Sequence, residues 1–248
     1  MKHASSHWME MKDLRILGID TSGKVASVAL SDGEKILWEK SVYTKLTHSQ
    51  VILPMVEQAL CESGYELSDL DCVAVSAGPG SYTGLRIGIG AVKGMCRGCE
   101  GLKCAGVSTL ASLAYNCLGF CGRIISVMRA RPDISYVAEF DSNTKTITRV
   151  SDDRVAGDAD VFENYDTASP IMLVGNNALH IKQSFFKDNE NVVTANAACL
   201  LQRAASLCLA AADDEGLVTT ADALEVSYLQ ATKAEKDKAH SDKQEEVK

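Results

Sequence analysis

Hydrophobic positions along this chain change period in a way that marks its elements. Arg15–Asp20 (RILGID) is a short apolar run with strand character, and Thr21-Ser22-Gly23 is turn chemistry. Val25–Leu30 is strand-like again, Asp32-Gly33 signals a hairpin, and Lys35–Val42 makes a third strand. The chain therefore opens with three antiparallel strands. Ile52, Met55, Val56, Ala59 and Leu60 then follow i, i+3, i+4, i+7, i+8 spacing. This predicts a helix from about Ser49 to Ser63, stopped by Gly64, with Pro54 tolerated if it sits in or near the first turn. Cys72–Ser76 is a continuous apolar run, as for a buried strand, and feeds the loop Ala77–Gly84. A helix from Leu85 to about Arg97, a strand at Lys103–Val107 and a helix to Cys117, capped by Ser108 or Thr109, complete the first half.

The order β-β-β-α-β-α-β-α describes one α/β layer unit, with crossover helices on the faces of a mixed sheet. The second half is patterned more weakly. Arg123–Met128 and Ser135–Asp141 read as a hairpin, Lys145–Val150 as a third strand, Ala159–Tyr165 as a helix and Ile171–Val174 as a strand before Gly175-Asn176-Asn177. Ala197–Ala212 reads as an amphipathic helix. This half has the outline of a second copy of the first plan, without sequence self-similarity. Met1–Lys12 reads as a polar tail, and Lys233–Lys248, a run of mixed charge, as a disordered tail or frayed helix. The expected organisation is a tail at 1–12, an N-terminal subdomain at 13–107, a smaller one at 108–230 whose last helix packs back on the first, and a charged tail at 231–248.

Composition narrows the classes. At about 150 residues per domain, 248 residues imply one to two domains, and 46% hydrophobic with 23% charged residues is an ordinary globular balance. The net charge of −8 disfavours a nucleic-acid binder acting through its own bulk electrostatics, although a partner could supply the positive surface. The most apolar late stretch is broken by Gln202 and Arg203, so no membrane span is expected. Met1–Asp13 lacks an apolar core, so no signal peptide is expected. Nine cysteines without framework spacing point to reduced thiols and a cytoplasmic location.

Three motifs could carry chemistry. Asp20-Thr21-Ser22-Gly23 at a strand end offers a carboxylate and two hydroxyls that could hold a phosphate–magnesium group; a hydrogen-bonded turn uses the same residues. Gly78-Pro79-Gly80-Ser81-Tyr82-Thr83-Gly84 lies between a buried strand and a helix N-terminus, where backbone N–H groups and the helix dipole favour an anion. It lacks the ending of a Walker A loop and the spacing of a dinucleotide fingerprint. A tight strand-to-helix connection would need the same glycines. Gly88, Gly90 and Gly94 lie inside the following helix, at a cost of about 3 kcal/mol relative to alanine. A close backbone approach, by the preceding helix or by a partner subunit, would offset it.

Other chemistries find less support. Cys96 and Cys99 form a C-x-x-C with Cys117 and Cys121 farther on, but without the Gly/aromatic context of a zinc knuckle. His3, His7, His48, His180 and His240 form no H-E-x-x-H motif, and no G-x-S-x-G elbow occurs.

Ile19–Ser22, His48–Pro54 (HSQVILP), Ala77–Gly88 (AGPGSYTGLRIG) and Gly106–Leu110 (GVSTL) together resemble the bacterial TsaB (YeaZ) family. The resemblance runs from Ile16 to about Ala114 and is faint afterwards. It implies an α/β, actin-like ATPase (ASKHA, RNase H-like) fold, with two subdomains of mixed sheets flanked by helices and the second subdomain reduced. It also implies a non-catalytic scaffold and activator role in forming N6-threonylcarbamoyladenosine beside the anticodon of ANN-decoding tRNAs. The implied partners are a larger catalytic paralogue, TsaD, and an ATPase, TsaE. The chain would form a homodimer when alone, meet tRNA only through the complex, and have no membrane role. No cofactor would be required, though weak ATP or ADP binding with magnesium fits Asp20, Thr21, Ser22, Gly78, Gly80, Ser81 and Thr83. Dimerisation through the first helices of the N-terminal subdomain would involve Ile52, Met55, Gly90, Lys93 and Gly94. The chain departs from the family where D-A-R-R becomes Arg129-Ala130-Arg131-Pro132, before Tyr136, and where P-x-Y-L-R becomes Val226–Gln230.

The alternatives are a stand-alone actin-like ATPase or small-molecule kinase, which would use Asp20 and the glycine loop, and a glycoprotease. The latter needs a metal pair or nucleophile that the sequence does not offer.

Overall fold

In the computed structural model, which describes residues 14–43 and 45–230, the three opening runs form β1 (Arg15–Asp20), β2 (Val25–Asp32) and β3 (Lys35–Tyr43). They are antiparallel; Thr21–Lys24 joins β1 to β2, and a two-residue turn at Gly33-Glu34 joins β2 to β3. Then follow α1 (His48–Ser63), β4 (Cys72–Gly78), α2 (Tyr82–Gly98), β5 (Lys103–Ser108) and α3 (Thr109–Tyr115), in the order the periodicity predicts. β4 pairs parallel with β1 and with β5. The tails expected at 1–12 and 231–248 lie outside the described residues.

The second half forms β6 (Cys121–Arg131), β7 (Ile134–Asn143), β8 (Ile147–Arg149), β9 (Arg154–Gly157), α4 (Asp158–Phe162), β10 (Ile171–Val174), α5 (Ala178–Phe185), β11 (Val192–Thr194), α6 (Ala204–Ala212) and β12 (Val218–Thr219). Its sheet runs β11-β10-β6-β7-β8, and the first runs β12-β5-β4-β1-β2-β3. Reading β6, β7, β8, β10 and β11 as counterparts of β1 to β5, order and direction repeat: three antiparallel strands, then two parallel ones beside the first. This is the doubled, actin-like plan. Its second copy is reduced, with three-residue strands at β8 and β11.

Helices cover both sheets on both faces. α1 and α2 pack on one face of the first sheet, around Leu17, Val28, Val73 and Val75. α6 covers the other face, against Ile16, Ala29, Ala74 and Val107, and packs on α3. α3 in turn lies on the second sheet against Ile124, Met128 and Phe140, and α4 and α5 cover that sheet's far face around Phe162. Burial on two faces is why β1, β2 and β4 read as continuous apolar runs rather than alternating ones.

Some expectations change. Pro54 is the seventh residue of α1, not in or near its first turn. It removes the N–H that would bond the Gln50 carbonyl, and both residues are on the exposed side, where solvent replaces that bond. The helix expected over Ala197–Ala212 is only α6, and it is buried on nearly every side instead of amphipathic, because it sits between the first sheet and α3. Its alanines permit this: a Cβ on Gly18 of β1 would lie 2.7 Å from the Ala204 carbonyl oxygen and from Cys208 Sγ. α5, β11 and β12 are too short or too polar to show a period.

Candidate functional site

Asp20 ends β1, and its carboxyl folds back on the turn that follows. Oδ1 accepts from the Ser22 N–H at 2.9 Å and from the Ser22 hydroxyl at 2.7 Å. Oδ2 is buried and has no hydrogen-bond partner among the described residues. Burial pushes the Asp20 carboxyl above its ordinary range, and the bonds from Ser22 and the nearness of Ser76 and His48 pull it down by less. Asp20, Thr21 and Ser22 are all within 1% of full burial.

The glycine loop closes directly onto this turn. The Ser81 N–H donates to the Ser22 carbonyl at 2.7 Å, and the Thr21 hydroxyl donates to the Gly84 carbonyl at 2.7 Å. A Cβ on Gly80 would lie 2.5 Å from the Ser22 carbonyl oxygen, and one on Gly84 only 2.1 Å from that of Thr21. The glycines therefore serve contact between two backbones. Ser81 is the N-cap of α2 and accepts from the Gly84 N–H at 3.3 Å. Ser81 and Thr83 stand on the surface, while Gly78 is buried.

The residues present do not fit a magnesium–nucleotide group at Asp20. The hydroxyls of Thr21 and Ser22 are engaged inside the protein, and the turn is sealed by the glycine loop.

Two residues outside the turn lie against it, and one of them bonds to it. His48, from the H-S-Q segment, donates through Nε2 to the Gly23 carbonyl at 2.9 Å. On the other side, the Gln202 amide lies 2.8 Å from where a Cβ on Gly23 would be.

The far end of the chain returns to the same loop. Leu224 is buried in the core beneath α2, and the Ser227 N–H donates to the Ala77 carbonyl at 2.8 Å. Tyr228 stacks on Tyr82 with ring centroids 5.1 Å apart. Arg86 lies 4.0 Å from the Tyr82 ring centre and donates through Nε to the Tyr228 hydroxyl at 2.9 Å. No local signal in the sequence marks the Tyr82–Arg86–Tyr228 cluster, because Tyr228 lies 142 residues beyond Arg86.

α2 has two unlike faces. Gly84 and Gly88 meet Thr21 and Val75, so those two glycines serve intrachain packing. Gly90, Gly94 and Gly98 are exposed, and an added Cβ would meet nothing within 4 Å. Lys93 is half-buried on the same helix. Ile52 and Met55, expected at a partner interface, are instead 1% and 4% exposed in the core. They are on the sheet-facing side of α1, and the outward side carries Leu53, 53% exposed, with Pro54 and Glu57.

All nine cysteines are free, and among the described residues no three His, Cys, Asp or Glu side chains gather where a metal could be held. Among them, too, no helix is long and apolar enough to cross a membrane.

The family model for TsaD, described as tRNA N6-adenosine threonylcarbamoyltransferase, matches residues 43–237. The tRNA threonylcarbamoyladenosine biosynthesis protein TsaB of Escherichia coli K12 is 40% identical over 129 residues, 51% of this chain and 55% of that protein. The protein of the same name from Bacillus subtilis 168 is 30% identical over 171 residues, 68% of this chain and 74% of that protein. The chain spans about half the length of the first of these relatives. The solved structure of YeaZ from Pseudomonas aeruginosa superposes with a TM-score of 0.74 at 28% identity, covering 87% of this chain and 100% of that one. With the doubled sheet plan and the sealed glycine loop, these likenesses carry one conclusion: the chain belongs to the TsaB (YeaZ) family.

Proposed function

We propose that this chain is a non-catalytic scaffold and activator in a complex that forms N6-threonylcarbamoyladenosine on tRNA, and that it pairs with a TsaD-like catalytic paralogue through the exposed face of α2. The observation that carries this reading is the open row Gly90, Gly94 and Gly98. Interior helix glycines each cost up to about 1 kcal/mol, and Gly90 and Gly94 relieve no crowding within the chain. A second helix backbone lying close along that row would offset the cost. Lys93 and the outward side of α1, with Leu53, would border the contact. The same face would serve a homodimer when the paralogue is absent, and a TsaE-like ATPase would join the assembled pair. The acidic charge fits a subunit that leaves the bulk of tRNA contact to its partners. A cytoplasmic location follows from that role.

The sealed Asp20 turn supports a subunit without phosphoryl chemistry of its own, which disfavours the stand-alone ATPase or kinase. Weak ATP or ADP binding, if it occurs, would not run through Asp20 as a metal ligand. The test is reconstitution. Threonylcarbamoyladenosine formation on tRNA by the source organism's TsaD and TsaE homologues is measured with and without this chain. The expected result is a stable complex and strict dependence on the chain. Full activity without it, or no complex at micromolar concentrations, would overturn the reading.

A further inference from the structure

A cleft of about 560 Å³ lies between β8, α3 and the C-terminal end of α6. No residue of the Asp20 turn or of the glycine loop lines it. Much of its lining is apolar: Val107, Tyr115, Phe140 and Ala210 are buried, and Ile147 and Leu217 are half-buried. Charge comes from two separate elements. Arg149 belongs to β8, whereas Asp213 and Asp214 follow α6, and all three are exposed.

These charges do not answer one another. The Arg149 guanidinium lies 4.8 Å from the Phe140 ring centre, and its Nη1 donates to Asp153 at 2.6 Å and to the Ser151 carbonyl at 3.1 Å. Among the described residues, Nε and Nη2 have no partner, and they form the edge of the fork that takes a carboxylate in two parallel bonds. On the other side, the Tyr115 hydroxyl donates to Asp213 at 2.5 Å and the Gly216 N–H to Asp214 at 2.9 Å. Both donors are neutral, and among the described residues neither carboxylate has an ion pair. The two acids also stand at the negative end of the α6 dipole, and the last turn of that helix holds no basic residue. A cation placed there would be favoured by the carboxylates and by the helix together.

We propose that this cleft binds a short apolar peptide with free ends. Its ammonium lies against Asp213 and Asp214, its carboxylate takes the open edge of Arg149, and its side chains cover the apolar lining between. The volume suits such a ligand, since small-molecule clefts span roughly 300–1,000 Å³. A ligand of single charge would leave one side of the cleft unmatched. The site uses none of the groups assigned to partner binding and does not depend on that reading.

Isothermal titration of the full chain with the dipeptide leucyl-leucine tests this. Its N-acetylated form lacks the ammonium, and its C-terminal amide lacks the carboxylate. Saturable binding of leucyl-leucine is expected, with each capped form weaker by about tenfold or more, the loss typical of charge-assisted hydrogen bonds. Asp213→Asn with Asp214→Asn should weaken leucyl-leucine and the amide but spare the acetyl form, and Arg149→Gln should do the reverse. Arg97→Ala, which removes a cation elsewhere, should change nothing. The capped peptides test the unaltered chain, so the outcome does not rest on how the variants fold. No saturable binding of leucyl-leucine, equal binding of the capped forms, or undiminished binding by the Asp213→Asn, Asp214→Asn chain with an unchanged melting curve would overturn the proposal.

Discussion

The Thr21 hydroxyl donates to the Gly84 carbonyl at 2.7 Å, and the Thr21 carbonyl oxygen lies 2.1 Å from where a side chain on Gly84 would begin. One threonine thus both ties α2 to the first hairpin and forbids any larger residue opposite it. Gly84→Ala should be severely destabilising, by more than about 3 kcal/mol, since the obstacle is backbone that cannot rotate away. Thr21→Val, which only removes the hydroxyl, should cost about 1 kcal/mol. Chemical denaturation of both variants checks this. Equal losses would mean that the two backbones can part to admit a methyl group.

The open glycines of α2 should behave in the opposite way. Gly90→Ala or Gly94→Ala should stabilise the lone chain by roughly 0.5–1 kcal/mol, because alanine restricts the unfolded chain and no atom within 4 Å obstructs it. Gly90→Leu and Gly94→Leu should leave the fold intact while weakening the pairing proposed above. Melting curves together with light scattering of the TsaD mixture separate the two effects. Leucine variants that pair as well as the parent would remove α2 as the interface.

Tyr228 holds the chain end over the glycine loop through Tyr82 and Arg86. Tyr228→Ala should cost about 1–2 kcal/mol and speed amide exchange around Ser227, whose N–H bonds the Ala77 carbonyl. Tyr228→Phe keeps the stack, so it should lose only the hydroxyl's share. Hydrogen-exchange mass spectrometry reads both.

Asp20 predicts a pH effect with a definite sign. Its carboxyl is raised above the ordinary value of 3.8 by burial, so the folded chain holds that proton more readily than the unfolded one. Its contribution to stability therefore grows as pH falls from the folded value toward the ordinary carboxylate range. Asp20→Asn lacks this gain. The stability of the parent relative to Asp20→Asn should improve steadily as pH is lowered from 7 toward 4, as measured by urea denaturation at each pH. A constant difference would mean that Asp20 is not held toward its neutral form.

Local pattern carried far in this chain, and where it stopped is instructive. The eight opening elements are legible because each is long enough to show a period, and central strands covered on both faces appear as unbroken apolar runs. The likeness of the glycine loop to one family is legible because seven consecutive residues, Gly78–Gly84, serve a single geometry. The purpose of those glycines was not. Sequence alone leaves phosphate binding and close packing equally open, since both need a bare backbone. The positions of the Ser22 and Thr21 carbonyls decide for packing. In the same way, one helix holds glycines of two kinds, and only the neighbours of Gly88 and the empty space beside Gly90 tell them apart.

By itself, then, the sequence determined the order of the eight opening elements and the likeness to one family. Those depend on contacts within a few turns of chain and on the polarity of each position. Tertiary structure decided the doubling of the sheet, the return of Tyr228 to Tyr82 and the sealing of Asp20. Each of these joins residues far apart in the chain, and a juxtaposition of that kind leaves no period in the sequence because it exists only once the layers have packed.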